Sequence, residues 1–294
     1  MHPAGSLIYF TVASGFGFGF LFFLGLGMPE TTGVGAFWRY FVGYGLAVTG
    51  LMSSVLHLGN PVNAWKAFSQ WRSSWLSREG VVSIAALLAL APVALTQIFG
   101  GPDLGWLGIL GAVLSLATIY CTSMIYGQLG TVPRWNQPLT PILFLAMGFA
   151  GGALLAQQST LALIGLAVAS LIQLAHWMLG DRAWTQGADT MESATGLGGA
   201  DGKVRLLERP HTGKNYLTTE MVHMVGRKHA QRLRGFVMAL LLLPILGLLF
   251  MPAVSAGGLW MLAVPMTLAA LMSRWLFFAE AEHVVGLYYG RQKS

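Results

Sequence analysis

Leu7-Ile-Tyr-Phe-Thr-Val-Ala-Ser-Gly15-Phe-Gly-Phe-Gly19-Phe-Leu-Phe-Phe-Leu-Gly-Leu-Gly27 contains no charged residue. About 20 apolar residues cross the hydrocarbon core of a bilayer, so the stretch is long enough to span. No basic region precedes it, as it would in a cleavable signal, so it reads as a retained first helix. Further runs of this kind lie at roughly 36–58, 80–99, 104–126, 139–157, 160–179, 235–255 and 259–280. The expected fold is therefore an all-α integral membrane protein, a bundle of eight transmembrane helices formed by residues 1–294 as a single domain. Composition agrees. Charged residues make up 10% of the chain, hydrophobic residues 55%, and the mean hydropathy is +0.63, where a soluble domain carries about 25% charged residues. Glycines recur in the runs, as at Gly15 to Gly19 and Gly148 to Gly152. Small residues let membrane helices approach closely, and packing is the plain reading of them.

The net charge of +6 does not point to nucleic acid, because the basic residues sit in short loops between apolar runs. Lys66, Arg72 and Arg78 follow the second run, Arg134 the fourth, and Arg291 and Lys293 close the sequence. The long loop at 180–234, before the seventh helix, holds Arg182, Lys203, Arg205, Arg209, Lys214, Arg227, Lys228, Arg232 and Arg234. The alternate connections near 28–35, 100–103, 158–159 and 256–258 hold no lysine or arginine. By the positive-inside rule the basic loops and both termini are cytoplasmic, which suits a multi-pass protein of a bacterial inner membrane. The second half of the long loop, Tyr216 to Arg234, reads as a charged helix that either meets anionic lipid headgroups or docks a cytoplasmic partner.

Ionisable residues at membrane depth are costly and tend to mark function. His57 ends the second run, Glu79 opens the third, His176 lies near the end of the sixth, and Glu280, Glu282 and His283 finish the eighth. All six belong to the basic side, while the opposite half has little beyond Arg39. A transporter needs polar groups near the midplane, and a two-haem wire needs histidines at both depths. One pocket near the inner surface fits better, where a proton donor or acceptor meets a lipid-soluble quinone. Blander readings accompany each residue. A histidine at a helix end is often a cap, Glu79 can pair with Arg78 or Arg72, and Trp65, Trp71 and Trp75 can form an interfacial belt rather than wall a ring. The single cysteine, Cys121, can neither hold an iron–sulfur cluster nor form an internal disulfide. A b-type haem held by two of His57, His176, His223, His229 and His283 is compatible with the residues. No other metal site is visible.

Three stretches resemble the membrane-anchor subunits of the dimethyl sulfoxide reductase family. They are His57-Leu-Gly-Asn-Pro61 through Ala64-Trp65-Lys66-Ala67 to Ser73-Ser74-Trp75-Leu76-Ser77-Arg78-Glu79, then Thr131-Val132-Pro133-Arg134-Trp135 with Leu139-Thr140-Pro141, then Arg274-Trp275-Leu276-Phe277-Phe278-Ala279-Glu280-Ala281-Glu282-His283 with Tyr288-Tyr289-Gly290. Gly226-Arg227-Lys228-His229-Ala230 and the Arg274 string are most similar to the anchors of quinone-linked sulfite dehydrogenases. The resemblance implies a three-subunit enzyme. A molybdopterin subunit performs the substrate chemistry, an iron–sulfur subunit relays electrons, and the anchor, itself non-catalytic toward the substrate, exchanges them with ubiquinone or menaquinone. It matches the family's quinone-site histidine to His57 and its carboxylate to Glu79; Trp65, Trp75, Arg78 and His283 are the further candidates around the quinone. Arg227, Lys228, His229 and Arg134 would meet the partner on the cytoplasmic face. Arg78 departs from the reductase pattern, which has an uncharged residue before the acid. A reductase-type anchor working in the reducing direction and a haem-bearing subunit are the alternatives.

Overall fold

The computed structural model describes residues 3–55, 61–186, 190–197, 204–205, 207–208, 229–251 and 255–288. Among the described residues there is no strand, and eight long helices carry the architecture: α1 (Gly5–Gly25), α2 (Gly33–Val55), α3 (Trp75–Phe99), α4 (Gly105–Gly127), α5 (Leu139–Leu155), α6 (Ser159–Gln186), α7 (Ala230–Phe250) and α8 (Ala256–Ala279). Six of them, α1, α3, α4, α6, α7 and α8, are long and apolar enough to cross a membrane. α5 falls short in length, at 17 residues. α2 has the length, but Arg39, Tyr40, Tyr44 and its glycines dilute its apolar character.

Every expected apolar run contains one of these helices, and the described differences lie at the ends. α3 starts at Trp75 rather than 80, and α6 continues to Gln186 rather than stopping at 179. The extra turns of α6 are held by tertiary contact. Asp181 pairs with two arginines from other segments, and Trp184 is buried. The loop that follows contains a short helix, Met191–Thr195, capped by Thr190 and Ser193. Of the helix expected over 216–234, only its last residues are described, and they form the first turn of α7.

Consecutive helices pack as antiparallel pairs, α1 with α2, α3 with α4, α5 with α6 and α7 with α8. α1 is the hub, since it also packs on α4 and α5 and touches α8 and α3. A helix that is apolar all round belongs in the interior, and Phe10, Phe18, Phe20, Leu21, Phe23 and Leu24 of α1 are all buried. Glycine makes this possible. A Cβ at Gly19 would sit 2.0 Å from the Gly148 carbonyl oxygen, and one at Gly152 would sit 2.2 Å from the Gly19 carbonyl carbon. α7 is the opposite case, with Phe236, Leu242, Leu243 and Leu249 exposed on its outer face.

Candidate functional site

Glu79 lies in the second turn of α3, and only 2% of it is exposed. Its partner is Thr122 of α4, whose hydroxyl meets the carboxylate and also lies 3.0 Å from the Thr118 carbonyl. One hydroxyl hydrogen facing two acceptors leaves room for either form of the acid. An ionised Glu79 takes the Thr122 hydrogen. A protonated Glu79 donates to the Thr122 oxygen, whose own hydrogen then turns to Thr118. The pair can therefore accept or release one proton without leaving a buried polar atom unpaired.

Arg78 does not pair with Glu79, contrary to one sequence-based reading. Its guanidinium donates to the carbonyls of Trp71 (3.0 Å) and Arg72 (2.6 Å) and lies 4.3 Å from the Trp75 ring centroid. It clamps the loop onto α3, and its departure from the family pattern has that structural use. Trp75 also meets Tyr120 edge to face at 5.7 Å, so one of its faces and an edge are already occupied. Trp65 sits on the 3-10 helix Pro61–Gln70, exposed, with the Lys66 ammonium 5.9 Å from its ring. Phe68 of the same helix covers Gly80, where a Cβ would come within 2.9 Å of its ring. His57 lies outside the described residues.

A second cluster joins the other two motif stretches. Trp135 is buried, donates through Nε1 to the Phe277 carbonyl (2.8 Å) and stacks on the Phe277 ring at 5.1 Å. Arg134 is directed inward, to Asp181 at 2.7 Å. Arg234 bridges Asp181 (2.7 and 2.8 Å) and Glu280 (2.8 Å). Four segments are thereby tied together by alternating charges at the basic end. Arg134, expected at a docking surface, has a side chain only 13% exposed and serves this network. Glu280 pairs with Arg234, while the tail cations Arg291 and Lys293 lie outside the described residues.

The histidines are each accounted for differently. Thr140 Oγ1 donates to the Trp135 carbonyl at 2.7 Å, so His176 Nε2, 3.2 Å from the same hydroxyl, must be the donor there. That nitrogen is not available to a haem iron in this arrangement. His283 Nδ1 accepts the Val285 N–H at 3.1 Å, and burial pushes the imidazole below its ordinary pKa, so it favours the neutral form. His283 and Glu79 are built into different clusters, and no described contact joins them. His229 is the exposed residue just before α7, while His223, Arg227 and Lys228 lie outside the described residues. Among the described residues no three His, Cys, Asp or Glu side chains converge as a metal site.

The donor set around Glu79 suits a quinone oxygen, since a carboxyl that can hold or yield a proton sits beside an aromatic loop at the basic end. Reading ionisable groups only at helix ends passes over Arg274, which is 4% exposed inside α8, its guanidinium carbon 3.4 Å from the Phe144 ring centroid. Its presence within an apolar run was the signal. Thr122 carried no such signal, because α4 offers Ser115, Thr118 and Ser123 on equal terms.

Comparison with known proteins agrees with the motif stretches. The profile of the DMSO reductase anchor subunit family matches residues 1–180. A sulfite dehydrogenase subunit of Allochromatium vinosum is 30% identical over 98% of this chain and 99% of its own length. One chain of the anaerobic dimethyl sulfoxide reductase of Escherichia coli is 30% identical over 36% of this chain and 38% of its own length. Protein NrfD of Escherichia coli is 28% identical over 56% of this chain and 60% of its own. No solved structure matches.

Proposed function

The chain belongs to the DMSO reductase anchor subunit family, and on that premise we propose that it is the quinone-interacting anchor of a molybdenum oxidoreductase working on sulfite. All eight long helices cross a bacterial cytoplasmic membrane, with the basic loops, the 180–234 segment and both termini inside. An iron–sulfur subunit docks on that face, together with a molybdopterin subunit that oxidises sulfite. Basic residues of the 180–234 segment, including Arg227, Lys228 and His229, meet the iron–sulfur subunit.

The observation that carries this reading is the pairing of full-length similarity to a sulfite dehydrogenase subunit with a buried carboxyl at the basic end. A quinone takes up two electrons and two protons to become quinol. The electrons arrive from the iron–sulfur partner. Glu79 delivers a proton to one quinone oxygen and is reloaded from the cytoplasmic side, with Thr122 supporting both of its states. His57 hydrogen-bonds the other oxygen and passes it the second proton from the cytoplasmic side. Because proton source and electron donor share one side, a turnover moves little charge across the membrane.

The test is a complex purified through a tag on this chain. It should contain both partner subunits and reduce quinone with sulfite as donor. His57→Ala and Glu79→Gln should each abolish quinone reduction while an artificial acceptor is still reduced by the partner subunits. Quinone reduction undiminished in both variants would overturn the site.

A further inference from the structure

Between α1, α4, α5 and α8 lies a small cavity whose walls are apolar at Phe16, Ile119 and Met147 and polar at Ser14, Thr122 and Arg274. The space open to the centre of a water-sized sphere is ≈ 10 Å³, about what one water needs. We propose that this cavity binds a single water that bridges Arg274 to Thr122, making Arg274 a positioning residue for the Glu79 carboxyl. The proposal deepens the reading of Glu79 given above and rests on it.

Arg274 supplies the first argument. Its Nη1 is buried and has no hydrogen-bond partner, and among the described residues no carboxylate forms a salt bridge with it. The Phe144 ring beneath the guanidinium offers a cation–π contact but no acceptor for an N–H. A buried N–H of a cation left without an acceptor is costly, so a polar guest is called for.

The hydroxyls identify the guest. Ser14 donates to the Phe10 carbonyl at 2.6 Å, Thr11 to the carbonyls of Leu7 and Ile8 at 3.0 and 3.1 Å, and Ser273 to Gln173 Oε1 at 2.6 Å. Thr122 gives its hydrogen to Glu79 or Thr118. With each hydrogen committed elsewhere, only oxygen lone pairs remain for the cavity. An anion would meet those lone pairs and be repelled, and a cation would meet Arg274. A water satisfies both sides, because it accepts from Nη1 and donates to the hydroxyl oxygens.

Thr122 is the link, since it walls the cavity and also holds Glu79. A water donating to Thr122 orients that hydroxyl toward the carboxylate. The charge of Arg274 is thereby felt at Glu79 without direct contact.

Two readouts on the whole complex test this. A density map that resolves waters should show one peak within hydrogen-bond distance of Arg274 Nη1 and Thr122 Oγ1. No peak there overturns the water site, whatever Glu79 does. Infrared pH-difference spectra of the complex should contain a carboxyl band that is lost in Glu79→Gln. That band should shift in Arg274→Met and in the isosteric Thr122→Val, with quinone reduction slowed on the order of tenfold. Arg274→Lys and Thr122→Ser should keep band and rate near the parent's. A band and rate unmoved in Thr122→Val overturn the coupling even if Arg274→Met fails to assemble. A Glu79→Gln complex that reduces quinone normally sinks the reading of Glu79 instead, and leaves the water peak to decide the cavity.

Discussion

Replacing Gly19 by alanine puts a methyl group where the backbone of α5 already is. The new Cβ would lie 2.0 Å from the Gly148 carbonyl oxygen, against an ordinary carbon–oxygen contact of about 3.4 Å. The Cβ is fixed by the backbone of α1 and the oxygen belongs to that of α5, so no side-chain rotamer can relieve the clash, and α1 and α5 must part by about 1.4 Å locally. A retreat of that size forfeits about half or more of the dispersion between facing atoms. The cost should reach the upper end of overpacking, about 3 kcal/mol. At roughly 2–4 °C per kcal/mol, the unfolding midpoint of the detergent-solubilised protein should fall by about 6–12 °C. Gly45→Ala on α2 is the control, because nothing lies within 4 Å of its Cβ position. It should leave the midpoint unchanged or raise it slightly, alanine being the better helix former by about 0.5–1 kcal/mol. The assay is a thermal unfolding series on the two variants in one detergent. Equal midpoints for Gly19→Ala and Gly45→Ala would refute the hub position of α1.

Two other predictions concern the charged network and the topology. Arg234→Met strands Glu280, a carboxylate only 5% exposed, and should cost about 3–5 kcal/mol in thermal stability, whereas Arg134→Met should cost much less because Asp181 keeps Arg234 and is 43% exposed; the reverse order would contradict the pairing. In a Cys121→Ser background, an impermeant thiol reagent added to intact cells should label Asp103→Cys and spare Ser193→Cys, and the opposite pattern would invert the proposed orientation.

Most of the fold was legible because lipid imposes a long apolar run on each helix, and every such run from Leu7 onward holds one of the eight long helices among the described residues. The ends were less so, since tertiary contacts set them. α6 runs on to Gln186 because Asp181 meets Arg134 and Arg234, which lie 47 and 53 residues away in sequence. The glycines of α1 could be assigned to packing, but nothing local names Gly148 and Gly152 as their partners. The candidate site divides in the same way. Glu79 stands out as an acid at the mouth of an apolar run, while Thr122 is one hydroxyl among several on α4 and is identified by the fold alone. Arg274 was visible as a charge inside the last run. Its isolation could not be read without knowing that Glu280 is taken by Arg234.

Whether quinone meets this protein at its basic end, beside Glu79, is tested most directly by photolabelling. The intact complex is exposed to an azido-substituted quinone, and the labelled peptides are mapped. Labels should fall on the segment from His57 to Gly80 and on α4 near Thr122, and be lost when excess unmodified quinone competes. Competed labels confined to the opposite connections, near Gly100 to Gly105 or Gln157 to Ser159, would contradict a quinone site at the basic end.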